Sequence, residues 1–428
     1  MIVTRCFVSL AFLACLLTGC TVTPTNSNVP VAPTAPSPAA STAPATTPAT
    51  TSATSSVQMT LPLLDALLSD EKFVSQVKQD LKLSDEQIDS LKRVSSAEIG
   101  RLQETNAEDA DGNATAARTR ASDELGKILG DEKAKQLAHA ANDYWSKGDA
   151  SEGTSAPVEM LKGPNAVPTD TRVVVNIPAF RMDLFQDGSL LKSYKVGIGY
   201  PQFPLPFGLR KASQIIFNPT WTPPDSPWVA KMKNVTAGET VKAGDKDNPL
   251  GPIKIPIGLP SLIHGGKSPA KIGKFASHGC VGLTNAQVKD FAAQLAKASN
   301  TSAISENTIT SYLQDKEKTK AVKLNQTVPV ELRYETIVLE DGKLHLYKDV
   351  YAQNSNTEEN LRAVLEANGV RFEDLSETQR TEILNALKDV KKETMIDISS
   401  VAKKGYPAPV ELDTGNTDKR GSKPRIRT

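Results

Sequence analysis

The stretch Leu262-Ile263-His264-Gly265-Gly266, followed downstream by Ser277-His278-Gly279-Cys280-Val281-Gly282-Leu283, decides how the rest of the chain is read. Two of the four histidines in the 428-residue sequence, His264 and His278, lie in this stretch with Cys280. A thiol of ordinary pKa, about 8.5, carries only a few per cent thiolate at neutral pH. A nucleophilic Cys280 therefore needs a base or a positive environment, and an imidazole supplies the base. Gly279 leaves backbone room beside the sulfur for N–H groups that face a developing oxyanion. Asn285, Val288, Phe291 and Leu295 recur at helical spacing. Cys280 is thus expected at a strand-to-helix junction, where a helix N-terminus favours the thiolate.

Blander readings of the same residues exist. Cys280 could be an inert buried thiol. His264, His278 and Cys280 could ligate zinc, yet no fourth ligand stands at a usual spacing, so no metal site is expected. Gly266-Lys267-Ser268 imitates the end of a phosphate loop, but position 261 is Ser261 where that loop needs Gly. His139 and His345 read as surface or structural residues.

Around the stretch, 171–351 has a β texture. Val173 to Ile177 and Arg181 to Phe185 read as strands, Asp187-Gly188 as a hairpin turn, and prolines from Pro204 to Pro227 punctuate long loops. A terminal hairpin is expected from Val328 through Asp341-Gly342 to Tyr347. Residues 59–150 read as helical: Ser84 and Gln87 form a capping box, and a second helix is expected from Ala117 to Trp145. The string 109–113 hints at a calcium loop but lacks its spaced carboxylates, so it reads as a polar turn. Leu375-Ser376-Glu377-Thr378-Gln379 repeats the capping box within a helical hairpin at 352–400. A basic, irregular tail, 401–428, ends the chain.

The N-terminus reads as an export signal: Arg5 precedes an apolar run, Phe7 to Leu17, too short to span a bilayer comfortably. Leu17-Thr18-Gly19-Cys20 resembles the lipobox of bacterial lipoproteins. That resemblance implies cleavage after residue 19, a lipid anchor on Cys20 and, with Thr21 next, an outer-membrane address facing the periplasm. Residues 21–58 hold seven prolines, no charge and no aromatic residue. Such a segment cannot bury enough apolar surface to offset its ordering entropy, and reads as a disordered tether able to reach on the order of 100 Å. Lys and Arg number 50 against 49 Asp and Glu, a balance that argues against nucleic acid as the main partner.

The order His264 … Ser277-His278-Gly279-Cys280 resembles the signature of the YkuD-type L,D-transpeptidases, enzymes that cross-link peptidoglycan. Val173 to Pro178 with Arg181-Met182, Val196 to Gly199, Pro204 to Gly208, Asn218 to Pro224 and Asn248 to Gly251 follow the family's order as well. The resemblance covers about 171–295 and implies an α+β chain: a mainly β catalytic domain flanked by helical regions. It implies that Cys280 attacks the carbonyl of the third residue of a tetrapeptide stem, releasing D-Ala and leaving a thioester. His264 is then the proton donor and acceptor, His278 a supporting residue, and Gly279 an oxyanion-hole backbone. Ser277, Trp221 and Gly265 are expected at the substrate cleft. No cofactor is implied. The partners are peptidoglycan stem peptides and, through the lipid, a membrane, with envelope proteins as candidates for the helical regions. The acceptor could be a second stem (a 3→3 cross-link), water, a D-amino acid or a protein lysine. A non-catalytic peptidoglycan-binding lipoprotein is the contrasting class. Two departures stand out: Gly282 replaces the Arg or Asn usual two residues after the Cys, and an insert, 296–326, separates the post-Cys helix from the closing strand.

Overall fold

A computed structural model of the chain describes residues 59–104, 114–147, 159–223, 229, 232–258, 261–403 and 405–416. Cys20, the signal segment, the tether and the 109–113 turn lie outside the described residues.

Five helices form the N-terminal layer: α1 (Leu61–Leu68), α2 (Glu71–Leu81), α3 (Asp85–Glu104), α4 (Ala114–Leu129) and α5 (Asp131–Lys147). Their starts follow local chemistry. Thr60 caps α1 with Pro62 in its first turn, and the reciprocal bonds between Ser84 and Gln87 open α3 at 3.1 and 3.2 Å. The single helix expected from Ala117 to Trp145 is instead two. Gly130 adopts φ +77, a left-handed turn that ends α4 before Asp131 starts α5. Leu64, Phe73, Val77, Leu91, Leu125 and Leu137 supply the buried faces.

Nine strands form one sheet in the order β14-β3-β2-β1-β10-β5-β6-β7-β9. In chain order these are β1 (Arg172–Asn176), β2 (Arg181–Gln186), β3 (Ser189–Lys195), β5 (Gly208–Phe217), β6 (Ile253–Pro256), β7 (Leu262–His264), β9 (Val281–Gly282), β10 (Lys320–Arg333) and β14 (Leu412–Asp413). A separate parallel pair joins β4 (Ile198–Gly199) to β8 (Phe275–Ser277). Asp187 and Gly188 take φ +48 and +79, the twist a two-residue hairpin turn needs between β2 and β3. After β9, Thr284 and Gln287 cap α6 (Asn285–Ala298), whose Val288, Phe291, Ala292 and Leu295 enter the core against the sheet.

Three stretches differ from their sequence reading. The 296–326 insert does more than separate the post-Cys helix from the closing strand: it holds α7 (Glu306–Gln314) and the start of β10, which pairs with the far end of β5. Ile304 and Ile309 join the main core, Ile309 from the buried face of α7, which packs against α6 and β5. The hairpin of β11 (Ile337–Glu340) and β12 (Lys343–Leu346) does not close the main sheet. It pairs with β13 (Thr394–Asp397) and shares a core with α8 (Glu358–Ala367) and α9 (Glu377–Leu387), so 352–400 is part of a small three-stranded unit and not a bare helical hairpin. The stretch after Ser400, expected to be irregular, makes defined contacts through its described residues. Tyr406 packs edge-on to Phe185 at 5.8 Å, the Pro407 carbonyl accepts from Arg181 at 3.2 Å, and β14 pairs with β3.

Phe291 is fully buried and meets Tyr194 edge-on at 5.7 Å. Phe291→Ala should lower unfolding free energy by about 3–5 kcal/mol in urea titration. Lys289→Ala, on the exposed side of the same helix, should change it by no more than about 0.5 kcal/mol.

Candidate active site

The parallel pairing of β7 with β9 sets Ile263 opposite Val281 and His264 opposite Gly282. It is tightened by Leu283 N–H donating to the His264 carbonyl at 2.8 Å. Cys280 enters β9 directly, so the two residues singled out from the sequence come together on neighbouring strands. The Cys280 sulfur lies within reach of the Leu262 backbone N–H, on the same strand as His264.

His264 is 3 % exposed. Its Nδ1 lies 2.7 Å from the Gly265 carbonyl oxygen. A carbonyl only accepts, so in the neutral ring Nδ1 carries the proton and Nε2 holds the lone pair. Burial drives the imidazole pKa down to about 3, helped by the Lys267 and Lys254 charges and opposed by the Gly265 and Leu250 carbonyls. Gly265, expected at the substrate cleft, thus has its carbonyl on the His264 ring.

Cys280 is partly exposed, not sealed in the core. Burial pushes its thiol pKa above the ordinary value, while the Leu262 backbone N–H and the Lys267 ammonium pull it down. Thiol and imidazole are both biased towards their neutral forms. The junction with α6 is looser than expected: β9 and the Thr284 cap stand between the sulfur and the helix.

Ser277 closes the turn. Its Oγ donates to the Cys280 carbonyl at 2.6 Å and accepts from the Cys280 N–H at 3.0 Å. The residue expected at the substrate cleft is thus bonded twice to the Cys280 backbone. Gly279 sits at φ +92, a region in which a side chain is strained, and its carbonyl accepts from Ser261 Oγ at 2.8 Å. The Cys280 N–H is already engaged by Ser277, whereas the Gly279 N–H bonds to no described residue.

His278 turns away from this pair into an aromatic wedge. Its ring meets Phe203 edge-on at 4.5 Å and Tyr200 at 5.5 Å. Phe203 in turn clusters with Ile99 and Leu102 of α3, and Thr60 Oγ1 donates to the Gln202 carbonyl at 3.0 Å. The helical layer thus packs on the loop that backs the Ser277–Cys280 turn, a contact sequence reasoning missed. Trp221 bridges to Val241 through backbone bonds of 3.1 and 2.8 Å. No described contact brings it to Cys280. Asn218, three residues before it, donates to the Tyr312 and Asp315 carbonyls at 2.7 and 2.8 Å and so ties the insert to this loop. Among the described residues no group of three His, Cys, Asp or Glu is arranged to hold a metal ion.

Lys267 is the functional candidate that sequence reasoning passed over. Its charge acts on both Cys280 and His264, and the helical turn that follows it directly is the three-residue Pro269–Lys271, too short for a phosphate loop. The signal available was the departure at Gly282.

The His264 environment has a pH signature. The unfolded ring titrates near 6.5 and the folded ring near 3. Its contribution is therefore complete above about pH 6.5 and is lost as pH falls towards 3, at up to about 1.4 kcal/mol per unit. Urea unfolding between pH 7 and 4 should show a slope shallower by that amount in His264→Gln than in the parent.

Residues 170–320 match the YkuD family, described as the L,D-transpeptidase catalytic domain. No curated protein matches. Solved structures that are similar include the catalytic domain of the Enterococcus faecium L,D-transpeptidase, at 14 % identity and TM-score 0.25 over 39 % of this chain and 100 % of that one. The L,D-transpeptidase from Mycobacterium smegmatis matches at 14 % identity and TM-score 0.24, over 38 % of this chain and 58 % of that one. The avibactam carbamoyl enzyme of Ldtfm matches at 14 % and TM-score 0.23 over 38 % of this chain, which spans 49 % of its length. With His264 and Cys280 on adjoining strands inside the matched span, residues 170–320 are a YkuD L,D-transpeptidase catalytic domain.

Proposed function

We propose that the chain is a peptidoglycan L,D-transpeptidase that forms 3→3 cross-links through a Cys280 thioester. What supports the reading is the β7–β9 pairing, which brings His264, its ring bonded to the Gly265 carbonyl, and the partly exposed Cys280 onto neighbouring strands.

The donor is a tetrapeptide stem whose third residue is a diamino acid. His264 Nε2 takes the thiol proton as sulfur bonds to the carbonyl carbon of that residue, and the carbonyl oxygen becomes an oxyanion. The Gly279 N–H is available to that oxyanion. The Cys280 N–H joins it by exchanging its bond to Ser277 Oγ. As the C–N bond breaks, the proton on Nε2 passes to the leaving D-Ala nitrogen and a thioester remains. The side-chain amine of a second stem then attacks. It gives its proton to Nε2, the C–S bond breaks, and that proton returns to the departing sulfur. A neutral pair at rest fits this sequence: the proton moves during attack, not before it. His278 acts as a support, fixing the turn through its aromatic contacts.

The reading includes Cys20 as a lipidated first residue on an outer-membrane protein facing the periplasm, with 21–58 as a spacer towards the peptidoglycan layer.

Purified protein incubated with disaccharide-tetrapeptide should release D-Ala and yield cross-linked dimers by mass spectrometry. A carbapenem should add one adduct to the intact mass, and Cys280→Ser should abolish both results. A parent protein that neither turns over nor acylates sinks the enzyme reading in favour of a binding lipoprotein. Separately, a palmitate label should enter the parent expressed in a bacterium and not Cys20→Ala. Equal labelling of the two overturns the anchor.

A further inference from the structure

We propose that Lys267 binds the terminal carboxylate of the donor peptide, occupying space that Gly282 leaves empty; this rests on the transpeptidase reading above. A Cβ at position 282 would lie 2.8 Å from both Cγ and Cε of Lys267 and 3.3 Å from Cδ. The methylene stem of the lysine therefore runs along the bare backbone of residue 282. Both partners are held in place. Lys267 N–H donates to the Leu283 carbonyl at 3.1 Å, and Gly266 N–H donates to Asn285 Oδ1 at 2.8 Å. On the other side, Gly282 exchanges backbone bonds of 2.8 and 2.9 Å with Gly197, so β9 cannot draw back.

This arrangement delivers an ammonium to within electrostatic reach of the nucleophile and of the base. The charged groups acting on Lys267 are Cys280 and Lys271; among the described residues no carboxylate is one of them. Lys267 is half-buried, and burial lowers its ammonium pKa. A desolvated cation without a counter-ion is unfavourable until an anion arrives. The donor meets that need, because its leaving residue ends in a carboxylate three bonds from the scissile carbonyl carbon. Lysine suits the role as a compact point charge with three donors. The bound carboxylate also offsets the positive field that helps hold His264 neutral, so the base strengthens when substrate is present. The loss of a side chain at 282 and the gain of a cation at 267 are then one exchange.

The test has two independent readouts. The first is kcat and KM for D-Ala release from the tetrapeptide and from its C-terminal carboxamide. The second is the rate of Cys280 alkylation by anionic iodoacetate relative to neutral iodoacetamide, which needs no peptide activity. Lys267→Gln should raise KM for the free acid about tenfold or more, the worth of a charged hydrogen bond. It should leave the carboxamide KM nearly unchanged and lower the iodoacetate preference several-fold. Lys267→Met serves the same purpose should the Gln variant fail to fold. The double variant Lys267→Ala/Gly282→Arg should recover both quantities, whereas Gly282→Arg alone should lose activity, its side chain meeting the lysine stem. Unchanged KM and unchanged alkylation preference in Lys267→Gln overturn the proposal. A parent that releases no D-Ala, yet loses its iodoacetate preference in Lys267→Gln, overturns the peptide reading and leaves the anion site standing.

Discussion

Two strands of three and two residues, Leu262–His264 and Val281–Gly282, lie side by side in parallel, and the chemistry of the protein depends on their register. Parallel neighbours cannot be joined by a tight turn; the chain must leave one strand end and travel back, which takes a dozen or more residues. The sequence distance from His264 to Cys280 is that return path. It holds a short 3-10 turn and β8, which pairs outside the sheet with β4. Shortening it would break the register that sets His264 opposite Gly282. A one-residue slip would turn these side chains to the opposite face.

Desolvation is the largest influence on both the His264 ring and the Cys280 thiol. Burial favours the neutral form of each. An imidazole with its pKa near 3 is neutral at physiological pH. Lys267 lies within that regime: its ammonium favours the thiolate form of Cys280 where burial opposes it. Its stem reaches the pair because position 282 has no Cβ in the way.

The surrounding layers hold the turn that carries Cys280. Ser277 and Ser261 fix its carbonyls, and Phe203 and Tyr200 enclose His278. Tyr351 braces the same loop, donating to the Gly199 carbonyl at 2.9 Å and accepting from Leu205 N–H at 3.1 Å. Arg118 of α4 donates to the Tyr351 and Ala352 carbonyls at 2.6 and 2.9 Å. The N-terminal helices and the segment leading to the three-stranded unit therefore meet at the loop behind the thiol.

The amino-acid sequence alone determined the chemical vocabulary: Cys280 in a Gly-bounded turn, two histidines near it, capping boxes at Ser84 and Ser376, and the Asp187-Gly188 hairpin. Each is a local signal, written within a few residues and enforced by backbone geometry. The tertiary structure decided what those residues touch. It packed His278 against Phe203 and Tyr200, put the Gly265 carbonyl on the His264 ring, engaged the Cys280 N–H with Ser277, split one expected helix at Gly130, and drew β11 and β12 to β13. It also laid Lys267 over Gly282, fifteen positions away. Periodicity and turn chemistry report the conformation of a segment, whereas a contact between strands depends on which segments the sheet makes neighbours, and only burial of the common core settles that.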